Sequence, residues 1–356
     1  MTAGVKKGAA QASRLGKALG AMVTGTLVLA LETHGALAAD TYGAKAPSSA
    51  IVNTEVVRSA ATQAAGLLSD RISQVVGGGA MFLGENGSAG TGLSAGDAGH
   101  PAGFWLSTSN HWLRDSQNGA SFNGNIGDVV GGFDYQRPDG LMLGLAFGYE
   151  NLNVDTTFNN GVLKDGGYGL SPYAGYRFND IWSADLQLSH VWVNYDESHA
   201  GVSGSNSGSR WSFSGNVNAN QELPENWLVG SSLGLFYVKE FQTAYIESNG
   251  NPVAAATPYT GEIRWKEMLG YRLTVGGVEL VPNVSVRLEY DPLQTREAII
   301  DANGDHAATS NFGATFGAGL RGRLNEDTTL TLEGTSEQFR PYMNDYGVSL
   351  TLRIER

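Results

Sequence analysis

The feature that most constrains this chain is an alternation. In GVELVPNVSVRLEYDP (277–292), Val278, Leu280, Pro282, Val284, Val286, Leu288 and Tyr290 form one set, and Glu279, Val281, Asn283, Ser285, Arg287 and Glu289 form the other. A period of two places the sets on opposite faces of a β-strand. Strands of soluble sandwiches run about 5–6 residues, whereas a strand tilted across a bilayer needs about 9–11. The length of this stretch therefore points to lipid as the partner of its apolar face.

The pattern recurs. Leu143, Leu145, Phe147 and Tyr149 alternate with Met142, Gly144, Ala146, Gly148 and Glu150, and Trp211, Phe213 and Val217 with Ser212, Ser214 and Asn216. Phe312, Phe316 and Leu320 face away from Gly313, Gly317 and Arg321, and Tyr346, Val348, Leu350, Leu352 and Ile354 from Gly347, Ser349, Thr351, Arg353 and Glu355. About twelve segments follow this rule, near 104–112, 124–137, 141–154, 167–178, 181–195, 209–221, 226–239, 261–273, 277–290, 311–323, 328–338 and 344–355. Their number is even, as is usual for single-chain bacterial barrels. Short turns (RPDG 137–140, FND 178–180, LPEN 223–226, TVGG 274–277, LNED 324–327) alternate with long polar connections at 196–209, 240–260 and 291–310. An outer-membrane barrel has this rhythm, with short turns in the periplasm and long loops outside. Trp105, Trp182, Trp192, Trp211, Trp227, Tyr237, Trp265 and Tyr290, near segment ends, suit interfacial aromatic girdles. Pro172 and Pro282 fall inside segments, where proline removes a ladder donor. The expected fold is all-β: a twelve-stranded antiparallel transmembrane β-barrel over 101–356.

Composition narrows the function. Only 16% of residues are charged and mean hydropathy is −0.18, so apolar residues are interleaved with polar ones. A net charge of −12 and a pI near 4.9 argue against a nucleic-acid partner, which requires basic patches. The absence of cysteine excludes a disulfide scaffold and any Cys-ligated metal. Residues 1–38 read as a signal peptide: Lys6, Lys7, Arg14 and Lys17, an apolar run from Ala18 to Leu31, then Ala36-Leu37-Ala38 as an A-x-A cleavage site.

One helical pattern precedes the barrel. In 53–76, Val57, Ala61, Ala64, Leu68, Ile72 and Val75 recur at three- and four-residue steps, with Asn53 or Thr54 as cap and Glu55 at the positive end. Some 24 residues at ~1.5 Å each reach ~36 Å, enough to thread a pore through an apolar band of ~25 Å. A Gly/Ser-rich linker, 77–100, follows it, and residues 39–52 precede it. The inward charges expected on the wall are Arg177, Asp185, Arg264, Lys266, Arg272, Glu279, Arg287, Glu289, Arg321 and Arg353. They are expected to hold Arg58, Asp70 and Arg71 of the helix. Leu143, Leu145, Phe147, Val284, Val286, Leu288, Val348, Leu350 and Leu352 are expected to face lipid.

Signals for chemistry are weak. Gly317, Gly319 and Gly322 match G-x-G-x-x-G, but on a strand face where small residues make room for a plug. Asp301, Asn303 and Asp305 have calcium-loop spacing but lack the Gly and Glu an EF-hand needs further on. The histidines (His34, His100, His111, His190, His199 and His306) form no metal motif; His190 and His199, near Asp196, are the one acid/base candidate. No cofactor, metal or catalysis is expected.

An export signal, a pore-length helix and a C-terminal barrel together resemble the translocator domain of the bacterial autotransporters over roughly 53–356. The most specific parts are GFWLSTSNHWL (103–113), GDVVGGFDYQRPDGLMLGLAFGYENLNVD (127–155, with Gly132, Phe133, Asp134, Gly148 and Tyr149) and YGLSPYAGYRF (168–178). The resemblance implies an outer-membrane translocator that carries a passenger to the cell surface and keeps its helix in the lumen. It also implies periplasmic chaperones, the barrel-assembly machinery and outer-membrane lipids as partners of a monomer. The chain departs from the family in having little sequence before the helix and in ending Ile354-Glu355-Arg356 without an aromatic. A minimal or passenger-less form displaying surface loops is the expectation; a passive channel, a loop-based adhesin or protease barrel, and a soluble exported sandwich are the alternatives.

Overall fold

The computed structural model describes residues 47–76, 102–116, 121–295, 311–325 and 327–355. The signal segment 1–38, the linker 77–100, the loop bearing Asp301, Asn303 and Asp305, and His34, His100 and His306 lie outside the described residues. A helix, α1 (Ser49–Val76), precedes twelve barrel strands. They are β1 (Ala102–Asp115), β2 (Phe122–Gln136), β3 (Leu141–Thr156), β4 (Gly161–Arg177), β5 (Trp182–His199), β6 (Val202–Glu222), β7 (Trp227–Gln242), β8 (Tyr259–Tyr271), β9 (Val278–Gln294), β10 (Phe312–Asn325), β11 (Thr328–Gln338) and β12 (Met343–Glu355). Every neighbouring pair is antiparallel, and β1 pairs with β12 from Gly103↔Glu355 to Asp115↔Met343, so the sheet closes without a free edge. No helix among the described residues is long and apolar enough to cross a membrane. The crossing is made by strands.

Period-two alternation sorts the wall. Phe104, Leu106, Val129, Phe133, Leu186, Leu233, Leu235 and Leu332 are exposed on the outer face, whereas the inner face carries Ser, Asn, Gln and charged residues. An apolar belt of this extent has no place in water. The turns after β2, β4, β6, β8 and β10, and both barrel termini, share one end, called near; the opposite end is far.

Near-end strand boundaries follow the sequence periodicity closely, and far-end boundaries do not. The segment 196–209, expected as a loop, is paired strand: β5 and β6 run on to a two-residue turn at Ala200 and Gly201, both at positive φ (46° and 80°). Above the belt neither face meets lipid, so GVSGSNSGS shows no hydrophobic period while its backbone pairing continues. The expected loop 240–260 is likewise largely ordered, with a small hairpin pairing Tyr245–Ile246 with Pro252–Val253.

The prolines sit in breaks of the ladder. Pairing of β4 with β5 skips from Leu170↔His190 to Tyr173↔Gln187, passing over Pro172. Pairing of β8 with β9 ends at Gly270↔Asn283, beside Pro282, and resumes only where Leu273–Val275 meets the start of β9.

The helix lies in the lumen. Val56 and Ala60 pack among Leu113, Ile126, Leu152 and Val193, and Val57, Ala61 and Ala65 against Phe236 and Val238. Leu68, Ile72, Val75 and Val76 pack with Trp105, Val130, Met142 and Tyr173. Trp105 is thus no girdle residue: it is buried inside, where its Nε1 donates to Tyr173 Oη at 2.8 Å. Close approach requires glycine at Gly175, where a Cβ would lie 2.7 Å from Ile72 Cγ2.

Candidate functional site

The site is the occupied lumen, and the wall caps both ends of α1. The helix begins at Ser49, so Asn53 and Thr54, the expected caps, lie within it. Instead, Ser49 N donates to Glu197 Oε2 of β5 at 2.9 Å, placing a carboxylate at the positive end of the dipole. At the other end Arg177 Nε donates to Val76 O at 3.3 Å, a cation at the negative end. Glu55 pairs with Arg58.

Between the caps the wall grips the helix polar group by polar group. Arg71 meets Asp134 in a two-pronged pair, 2.6 and 2.9 Å, both residues buried. Tyr173 Oη also donates to Asp134 at 3.0 Å. Arg58 reaches Glu337 on β11 at 3.2 and 3.3 Å. Lys266 pairs with Asp70 at 3.0 Å, and Arg264 Nη2 donates to Thr62 Oγ1 at 2.9 Å. Gln187 donates to the Ala65 carbonyl at 3.0 Å and Asn216 to Ser69 Oγ at 3.0 Å.

Other expected wall charges pair with the wall itself. Arg287 donates to Glu289 on its own strand at 2.6 Å, and Glu289 also accepts from Arg340 at 3.1 Å. Asp185 accepts from Asn216 and Asn218, while Arg272 bridges Glu222 and Glu279 at the near mouth. Arg321 and Arg353 are buried inside. Leu143, Phe147, Val284, Val348, Leu350 and Leu352 are exposed on the outer face, with Leu145, Val286 and Leu288 half-exposed on the same face. Sequence reading missed Asp134, Glu337, Arg340 and the buried cluster in which Arg210 holds Glu150 (2.7 Å) and Glu240 (2.6 Å). Inward parity on β2, β3, β6, β7 and β11 was the available signal, except for Arg340, which lies between β11 and β12.

The helix does not fill the lumen evenly. Two gaps of about 90 and 80 Å³ lie on its polar side, bordered by Asp70, Lys266, Arg321, Glu333 and Ser349 in one and Arg58, Gln63, His111 and Glu337 in the other. Each has room for several waters. His190 and His199 form no acid/base pair. They lie on opposite faces of β5: His190 stacks outside between Trp192 and Trp211, each 4.2 Å away, while His199 is buried inside. The glycines of GAGLRG lie in β10 and are followed by β11, not a helix, so they cradle no phosphate.

A closed barrel with an apolar belt, a charged lumen and its own helix fixed along the axis defines a plugged outer-membrane barrel. The comparisons assign the class more closely. Residues 104–335 match the autotransporter β-domain, well over half of the chain, and the chain belongs to that family of outer-membrane translocator barrels. In fold it is similar to the β domain of the Bordetella autotransporter BrkA (17% identity, TM-score 0.60, covering 71% of this chain and 99% of that one). It is also similar to the translocator domain of NalP from Neisseria meningitidis (13%, 0.60, 86% and 99%) and the transport unit of AIDA-I from Escherichia coli (12%, 0.54, 81% and 97%). Among curated proteins it matches an uncharacterized Pseudomonas putida protein from the trpE-trpG intergenic region, 25% identical over 196 residues. The match takes in 52% of this chain and 32% of that protein, so the chain spans about a third of its relative's length.

Proposed function

We propose that this chain is a minimal autotransporter translocator in a Gram-negative outer membrane, exported after cleavage behind Ala38, with α1 as the tether of whatever precedes Pro47. The observation that carries the reading is the direction of the helix: its N-terminus is held at the far end by Glu197 and its C-terminus at the near end by Arg177. With short turns and barrel termini in the periplasm, the far end is external, and a segment joined to Ser49 is delivered outside. The barrel works as a monomer in outer-membrane lipid, delivered by periplasmic chaperones and the barrel-assembly machinery, without nucleic acid and without catalysis. A second reading, display by the far-end hairpins, draws support from the extension of β5 and β6 beyond the belt.

An epitope inserted before Pro47 checks the first reading. Intact cells should bind antibody without permeabilisation and lose the epitope to added protease. Labelling that requires permeabilised outer membranes would overturn it.

A further inference from the structure

The far mouth holds three ligand-type side chains, of which only Glu197, the cap of α1, has a part in the tether. Glu197 and His199 stand two apart on β5 and so share its inner face. Glu247 reaches them from the connection between β7 and β8. Their donor atoms all lie within 4.8 Å of one another, and each residue is 95% or more buried, at 5%, 4% and 5% exposure. Glu247 Oε1 points at His199 Nε2 from 3.5 Å yet makes no hydrogen bond, and His199 Nδ1 makes none either. Two buried carboxylates grouped with one imidazole, with Glu247 Oε1 making only a 3.5 Å ion-pair contact and no hydrogen bond, are costly to keep in a core. A cation coordinated by His199 Nε2 and the carboxylates would give that oxygen a partner.

We propose that Glu197, His199 and Glu247 form a divalent transition-metal site, suited first to Zn²⁺. Imidazole nitrogen and carboxylate oxygen are both zinc ligands, and three protein donors leave a fourth position open to water. Ligands bound at about 2.0–2.2 Å on a tetrahedral centre stand about 3.3–3.6 Å apart, and the His199–Glu247 separation of 3.5 Å is such an edge. Supporting contacts are already in place. Tyr245 Oη and Ser49 N both donate to Glu197, fixing its orientation. Glu247 opens a tight turn, with Gly250 N donating to its carbonyl at 2.8 Å. Next to it, Ser248 N donates to Ser203 O at 2.8 Å, tying the turn to β6. The metal would pin this connection to the β5 wall and, through Glu197, to the start of α1. Its role is a clasp on the external mouth.

The test uses the full chain, without a polyhistidine tag, folded in detergent and stripped with chelator, then titrated with Zn²⁺ against a competing dye and with Co²⁺ for its visible absorption. One metal per chain is expected. His199→Ala and Glu247→Gln should abolish it, and Tyr245→Phe should weaken it by about 10–100-fold, as loss of a supporting hydrogen bond does. Heat-modifiable gel mobility of each variant confirms a folded barrel. Zn²⁺ should also protect residues 243–258 from protease, reversibly with EDTA. Absence of stoichiometric uptake, uptake undiminished in both ligand variants, or equal protease sensitivity with and without metal would overturn the proposal.

Discussion

At the scale of single residues, the lumen is governed by the cost of leaving a buried charge alone. Arg71 and Asp134 are both buried, and Asp134 gains Tyr173 as a further donor. Breaking such a pair from one side costs about 3–5 kcal/mol, because the partner stays behind uncompensated. Arg71→Ala should therefore lower the urea midpoint of the detergent-folded barrel markedly, while Arg71→Ala with Asp134→Asn recovers part of the loss; a single variant with an unchanged midpoint would refute the coupling. Arg137 and Asp139 pair at 2.8 Å in a turn, each about half exposed, and their removal should change little.

At the scale of elements, each strand is two half-sentences written in alternate letters, and only one half names lipid. Leu350, exposed on β12 between Thr108 of β1 and Leu332 of β11, sits in the belt. Leu350→Arg should cost about 2–4 kcal/mol if it lies near the midplane, falling toward zero at the rim; unfolding from vesicles measures it, and a neutral result would displace the belt. This logic also explains what the sequence disclosed. All twelve strands and their near ends were legible, because lipid on one side and a wet lumen on the other enforce the period of two. The far ends of β5 and β6 were not, since Ser203, Gly204, Ser205 and Asn206 have no apolar side to declare although they pair in register with β5. The helix was legible from its apolar stripe, but its caps were not. Glu197 and Arg177 lie more than a hundred residues away in sequence, beyond any local capping rule. Arg58, Asp70 and Arg71 were found as helix charges, whereas Glu337 and Asp134 required knowledge of which wall the helix leans on.

At the scale of the whole molecule, the helix in the lumen decides permeability. The gaps beside it hold only about 90 and 80 Å³, so the intact protein should give little or no conductance in planar bilayers, and deletion of 53–76 should open a steady pore. Equal conductance before and after deletion would mean that the helix is no plug. The closing pair of strands adds a separate consequence. First and last strands are zipped along their whole length, Gly103 to Asp115 against Glu355 to Met343, as continuously as most neighbours inside the sheet. The hoop has no built-in slit facing the hydrocarbon, so any polypeptide it handles once complete must travel end to end, and sideways escape into lipid belongs only to the time before the hoop is shut.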